Sequence, residues 1–400
     1  MSARKKHILF VDDEQYVLDG LRRMLRSMQS EWEMRFARSG HEALVLLAGT
    51  PCDVIVSDMR MPGMPGEALL AEVRNRYPAM IRLALSGQSD KEIILKSVGP
   101  IHQFLQKPCD EQTLKSTISR TIELCDLLAD DRLKSIVTGL ESLPSLPSHQ
   151  QELTAQFQRS DVSTRLIGDS ISKDMAMTAK ILQLVNSAFF GLRRRVNSPA
   201  DAVKLLGLDT VRSLVMTIQV FSQISETEVE GFSQKSLLSH SAAVAAVAKK
   251  IVQAEGKPAE MAERACLAGL LHDVGKLALA SKMPAEYAAS IRVAGTDRIT
   301  AEEAERRVIG ASHAEIGAFL LGLWAFDPSI VDAALFHHRP AMHAGDGFTI
   351  LTAVHAANAI VRFSPTVDVA GVPGMDMGYL ERLGLSDHLG SWLGVCKNAA

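Results

Sequence analysis

The residues of this 400-residue chain best suited to chemistry stand where apolar runs end. Val54, Ile55 and Val56, in DVIVSDMRMP, form the continuous apolar run of a parallel strand covered by helices on both faces. Asp58 comes at its carboxyl end, where open α/β sheets hold their ligands. An earlier run, His7 to Val11, ends the same way in Asp12 and Asp13. Ser86 closes IRLALSG, and Lys107 closes HQFLQKP. Three carboxylates brought together need a cation between them, and oxygen-only ligands suit Mg²⁺. A hard cation, a hydroxyl and an ammonium around one aspartate make a phosphoryl-accepting site. Lys107-Pro108 is a candidate cis peptide, since X-Pro bonds give up only about 0.5 to 1 kcal/mol in that form.

A second set is built from histidines. His240 lies in SLLSHSAAVAAVAKK, where alanines allow close helix approach, and His272-Asp273 follow the apolar run CLAGLL. His313 starts a helix, His337 and His338 precede Arg339-Pro340, and His355 and Asn358 sit in AVHAANAI. A His-Asp pair at a helix end, with histidines from other helices, can present nitrogen and oxygen ligands to a divalent transition metal. Such an ion sharpens the nucleophilicity of a bound water for phosphodiester hydrolysis. Lys276, one turn after Asp273, is placed to contact a phosphate. The competing reading is a buried polar network in which each ring is satisfied by its neighbours.

These residues need two kinds of scaffold. The first part of the chain alternates strand and helix signals, with Ser39-Gly-His-Glu42 and Ser89-Asp-Lys-Glu92 as capping boxes. Five strands with intervening helices fit a doubly wound α/β fold. The last helix begins near Asp110, and its apolar residues Leu114, Ile118, Ile122 and Leu127 continue to about Val137, which predicts an unbroken, stiff connector. Pro144 and Pro147 in LPSLP end it. From there the chain reads as all-α: Ser198-Pro199 opens a helix that Gly207 closes, and Ser312-His-Ala-Glu315 is a further capping box. Residues 364 to 374 read as a loop before a small carboxy-terminal helical cap. The expected domains are 1–125, a helical linker at 126–143, a helical domain at 144–345 and its extension at 346–400.

Length and composition agree. A chain of 400 residues exceeds what one core usually holds. Hydrophobic content of 47% with 22% charged residues describes an ordinary globular protein. A net charge of −3 and a pI near 6.5 give no footprint for nucleic acid, and Arg193 to Arg195 read as a solvated turn. The scattered cysteines Cys52, Cys109, Cys125, Cys266 and Cys396 include no CxxC pair, which predicts reduced thiols in a cytoplasm. No signal-peptide h-region or membrane span is expected.

The paired acids, Asp58, Ser86 and Lys107-Pro108, in that order over residues 5 to about 125, resemble the receiver domain of two-component response regulators. The resemblance implies that Asp58 takes a phosphoryl group from a sensor histidine kinase, and that Asp12, Asp13 and Asp58 hold Mg²⁺. It also implies that Ser86 and Lys107 contact phosphoryl oxygens and that Phe104 is the ring that repacks. LPSLP, SKDMAMTAKILQLVNSAFFG, AVKLLGLDTVRSLV, LAGLLHDVGK, HAEIGAFLLGLW and HHRP resemble the HDOD domain, a branch of the HD superfamily, across about residues 136 to 342. HDOD members are regarded as signalling modules without the phosphohydrolase activity of their relatives, so the resemblance implies a non-enzymatic output that works through a downstream protein partner. A homodimer is implied by resemblance alone. Two alternatives remain: a cyclic di-GMP phosphodiesterase of the related HD-GYP type, and a non-catalytic metal- or nucleotide-sensing module. The candidate ligands for the metal of either are His240, His272, Asp273, His313, His337 and His338, with Lys276 on phosphate. Against hydrolysis, HHRPAMHAGDGFT lacks the GYP element, and Asn358 stands where the family's last metal-binding aspartate is expected.

Overall fold

The computed structural model describes residues 5–87, 100–128, 130–140, 143, 147–157, 163–186, 195–208, 210–212, 215, 229–363 and 372–397. The capping box at Ser89, Arg193, Arg194 and most of the loop at 364–374 lie outside these residues. The chain divides into two units, one of Met1–Glu141 with Gln183–Arg195 and Gly322–Ala325, the other holding the remainder.

In the first unit, strands β1 (Lys6–Val11), β2 (Trp32–Ala37), β3 (Val54–Asp58), β4 (Ile81–Ser86) and β5 (Gln103–Gln106) form one parallel sheet in the order β2-β1-β3-β4-β5. Helices α1 (Gln15–Met24), α2 (Gly40–Gly49), α3 (Gly66–Arg76) and α4 (Glu111–Asp126) accompany it. Ile8 to Val11 and Val54 to Val56 are all at most 1% exposed, as a strand covered on both faces requires. The register Val11↔Ser57 sets Asp12 beside Asp58, which brings the acids of two strands together. Ser39 caps α2 by accepting the Glu42 N–H, but the Glu42 carboxylate reaches back to the N–H of Arg38, so the box is offset by one residue.

The connector is not one helix. α4 ends at Asp126, and α5 (Asp131–Thr138) starts afresh. The N–H groups of Leu127 and Leu128 turn inward to the carbonyls of Leu124 and Cys125, and Asp130 accepts the N–H of Arg132 as a new cap. Leu127 is 37% exposed, so the apolar stripe read from sequence swings to solvent at the break.

In the second unit the helices are α6 (Pro147–Phe157), α7 (Thr164–Ser172), α8 (Met175–Val185), α9 (Pro199–Leu206), α10 (Gln234–Ala254), α11 (Ala259–Leu271) and α12 (Val274–Lys282). They continue as α13 (Pro284–Asp297), α14 (Ala301–Val308), α15 (His313–Leu323), α16 (Pro328–Phe336), α17 (Ile350–Phe363), α18 (Met377–Arg382) and α19 (Leu389–Lys397). Ser198 caps α9 and Gly207 closes it at φ +79°. Ser312 and Glu315 complete a reciprocal capping box at the start of α15. α10 packs on α11 and α17, and α11 also on α16 and α17. Glycine makes the close crossings: a Cβ on Gly269 would lie 2.7 Å from Ala245 Cα, and one on Gly275 would lie 2.0 Å from the His313 carbonyl oxygen. Among the described residues, no helix is long and apolar enough to cross a membrane.

Candidate functional site

The first cluster sits at the carboxyl ends of β1, β3 and β4 and just past β5. Lys107 Nζ lies 2.7 Å from Asp12 Oδ2 and 2.5 Å from Asp58 Oδ1. Asp12 Oδ1 accepts the N–H of Glu14, and Asp58 Oδ2 accepts that of Arg60. Burial outweighs Lys107 and lifts the Asp58 carboxyl above its ordinary range. Burial opposes the charge of Lys107, yet Asp12 and Asp58 together raise its pKa. Lys107-Pro108 is cis. Ser86 is 1% exposed at the end of β4, Asp13 is half-buried beside Asp12, and Phe104 is half-buried against the cluster that holds Met59 and Ala84. Asp12 and Asp58 meet through Lys107, while Asp12, Asp13 and Asp58 do not close on one another to within ligand distance as the histidine cluster does; their oxygen-only chemistry is the kind that suits Mg²⁺.

The second cluster is assembled from helix ends. His240 projects from α10, His272 ends α11, Asp273 precedes α12, His313 begins α15, and His337 and His338 follow α16. Ring centroids stand 5.5 Å apart for His240 and His272, 4.9 Å for His272 and His337, and 5.1 Å for His313 and His338. His272 Nδ1 donates to the Gly269 carbonyl at 2.7 Å and His337 Nδ1 to that of Ala334 at 2.8 Å. Each ring thereby turns Nε2 to the centre, the orientation that a second layer of hydrogen bonds gives metal-binding histidines.

His272 Nε2, His337 Nε2 and Asp273 Oδ1 are buried there without a hydrogen-bond partner. Asp273 Oδ1 lies 3.2 Å from His313 Nε2 and 3.6 Å from His337 Nε2, misaligned for hydrogen bonding, and His313 Nε2 is 3.0 Å from His338 Nε2. Tetrahedral ligands about 2.0 to 2.1 Å from an ion are about 3.3 Å from one another, so Asp273, His313, His337 and His338 fit one transition metal. The polar network is satisfied in part, through His313 with Glu305 and His338 and through Asp273 Oδ2 with Lys276, and leaves His272 Nε2, His337 Nε2 and Asp273 Oδ1 unpartnered at its centre. On the other side, His240 Nε2 bonds the neutral amide oxygen Asn358 Oδ1 at 3.0 Å.

Burial holds His240 at about 4 and His337 at about 3, and drives His338 far down, so these rings are neutral. His313 is the exception: burial opposes its charge, but Glu305, 2.6 Å from Nδ1, and Asp273 lift it to about 9. Burial resists ionisation of Asp273, yet His272 and Lys276 keep it well below the usual carboxylate range. Lys276 Nζ pairs with Asp273 Oδ2 at 2.6 Å. His355 stands apart, donating to the His337 carbonyl and accepting the Asp376 N–H, and it is a satisfied structural histidine. Sequence reading missed Glu305, whose place in AEEAERRV looks like one more solvated charge.

A family model for the HDOD domain matches residues 143–340, and one for the response regulator receiver domain matches residues 8–119. The chain carries a receiver domain followed by an HDOD domain. This receiver–HDOD chain is a response regulator with an output domain related to the HD superfamily. It is similar to the crystal structure of the MmoQ response regulator from Methylococcus capsulatus, at 27% identity and a TM-score of 0.51, over 63% of this chain and 98% of that one. Among curated proteins it is 28% identical to an uncharacterized protein of Treponema pallidum over 57% of this chain and 44% of that protein. It is 37% identical to the hydrogenase transcriptional regulatory protein HoxA of Cupriavidus necator over 32% of this chain and 27% of that protein. The chain thus spans less than half the length of these curated relatives.

Proposed function

We propose that Asp58 accepts a phosphoryl group from a sensor histidine kinase in the cytoplasm, and that the HDOD domain passes the signal to a downstream protein partner. The observation that carries this reading is Lys107, which bridges Asp12 and Asp58 at the ligand-binding edge of the sheet. Phosphorylation adds about 1.5 to 2 negative charges, which Lys107 and the Ser86 hydroxyl are placed to engage. Mg²⁺ held by Asp12, Asp13 and Asp58 neutralises charge on the transferring group. Phe104, the second residue of β5, is the ring that repacks. Incubation with acetyl phosphate and Mg²⁺ should add one phosphoryl group, and Asp58→Asn should abolish it while leaving the fold intact. Uptake of phosphate by that variant would remove Asp58 from its role.

The unpartnered nitrogens and carboxylate oxygen favour a second reading, that the HDOD domain holds a divalent transition metal through Asp273, His313, His337 and His338. His272 and His240 flank this set, and Lys276, paired with Asp273 Oδ2, is the residue we assign to a phosphate. With Asn358 on His240 and no GYP element, we read this metal as sensing or structural and the domain as non-hydrolytic. The test is metal content after purification with manganese, iron or zinc, together with cyclic di-GMP turnover. About one ion per chain without turnover is expected. Linear product lost on His272→Ala and Asp273→Ala would instead make the protein a phosphodiesterase, and absence of metal would leave only the partner-binding regulator.

A further inference from the structure

Arg82 and His102 are buried ionisable residues that neither candidate site uses, at 1% and 6% exposure. The guanidinium of Arg82 donates to carbonyl oxygens, Nε to Pro100 at 2.6 Å, Nη1 to Met80 at 2.8 Å and more weakly to Pro78, and Nη2 to Thr138 at 2.9 Å, and Nη2 also lies 2.9 Å from His102 Nε2. His102 Nδ1 accepts the backbone N–H of Arg82 at 2.9 Å, so its hydrogen sits on Nε2, which donates to the same Thr138 carbonyl at 2.8 Å. Thr138 is the last residue of α5. Its carbonyl is among those a helix end leaves without an internal partner, at the negative end of the helix dipole. Thr138 Oγ1 also donates to the Pro78 carbonyl at 2.5 Å. A buried cation and a ring N–H thus converge on the end of the helix that leads out of the receiver.

The same two strands reach the phosphoryl-accepting cluster. Between β4 and β5 the pairing runs without interruption from Leu83↔Gln103 to Ser86↔Gln106. At one end the His102 N–H bonds the Arg82 carbonyl at 2.9 Å, and at the other the Lys107 N–H bonds the Ser86 carbonyl at 2.8 Å. The uninterrupted β4–β5 ladder is therefore a direct mechanical path from Ser86 and Lys107 to the Arg82–His102 rung. The contacts to Thr138, at 2.9 and 2.8 Å, already lie at ordinary hydrogen-bond optimum, so displacement in any direction weakens them.

We propose that Arg82 and His102 are a latch that holds α5 on the receiver while Asp58 is unmodified, and that filling the phosphoryl site releases it. This rests on the phosphoryl-accepting reading above. In the full chain, hydrogen exchange of the α5 amides should speed up when Mg²⁺ and beryllofluoride, a phosphoryl mimic, are added, by a factor in the range of about 5 to 150 typical of coupled sites. Arg82→Met and His102→Leu should exchange fast without the mimic and change little with it, and by reciprocity should bind the mimic more tightly by the same factor. Thr138→Val, which keeps the β-branched shape and removes the hydroxyl's bonds to Pro78 and to the Lys134 and Ser135 carbonyls of its own helix, gives a milder version should the buried replacements fail to fold. Bound mimic, seen by fluorine NMR, with unchanged or slower exchange in α5 overturns the latch and leaves the phosphoryl reading intact. No bound mimic overturns both.

Discussion

Glu305 accepts the backbone N–H of His313 at 2.7 Å and meets ring Nδ1 at 2.6 Å, so one carboxylate, itself 2% exposed, fixes both the place of the ring and the nitrogen it turns to the cluster. The pair has a measurable signature. In the metal-free protein His313 titrates at about 9 rather than its ordinary 6.5, because Glu305 and Asp273 outweigh the burial that opposes its charge. A raised histidine pKa contributes stability that is complete below the unfolded value and is lost as pH climbs through the folded one. The window is therefore pH 6.5 to about 9, and the full effect is on the order of 3 kcal/mol. Glu305→Gln should lower stability most near pH 6 and converge on the unaltered protein above about pH 9, read by urea denaturation with chelator present. A deficit that is the same at every pH would mean that Glu305 acts through packing alone. Nothing local in the sequence announces this role, because a glutamate among the charges of AEEAERRV is indistinguishable from a surface residue until the fold turns it inward. Arg82 hid differently, as one charged letter inside the apolar strand IRLALS.

At the scale of elements, what was legible was periodic or capped. The strands showed as apolar runs ending in Asp12, Asp58, Ser86 and Lys107, and since parallel strands present these ends on one edge, the cluster followed from the order of the runs. The helix starts at Ser198 and Ser312 were likewise written in a hydroxyl and its partner three residues on. The break after Asp126 was not legible by spacing. Leu133 and Val137 are buried like the residues of α4, so the apolar count runs on while Asp130 competes for the backbone and starts a new helix. The histidine cluster was legible as a set but not as a shape. Its assembly depends on Gly269 and Gly275, where any side chain would strike the backbone of α10 or of His313, and those approaches bring the ends of α11 and α12 to α15. His355 was left out of the ligand set by the family resemblance, not by anything in its neighbours. His355 and His337 look alike in sequence, and only the Asp376 N–H on Nε2 of His355 marks it as satisfied.

Among the described residues stand two clusters of opposite chemical character, hard carboxylate oxygens beside a lysine in the first unit and imidazoles around one aspartate in the second. Each should therefore answer to a different ligand. A ligand that binds only the folded form stabilises it by about 2.7 kcal/mol at a concentration of 100 times its dissociation constant. Mg²⁺ with beryllofluoride should slow the exchange of amides in β1, β3 and β4, whereas zinc or manganese should slow it at the ends of α11, α15 and α16. The two responses should separate under substitution: Asp58→Asn removes the first and leaves the second, and His337→Ala does the reverse. The second response also carries a proton signature. His313 must give up its hydrogen to offer Nε2 to an ion, so metal binding should release about one proton at neutral pH and weaken as pH falls below about 9. Calorimetric titration in two buffers of different ionisation enthalpy measures that release directly. Metal bound with no proton released would place the ion away from His313, on His240 and His272, and would reverse which side of Asp273 is the working one.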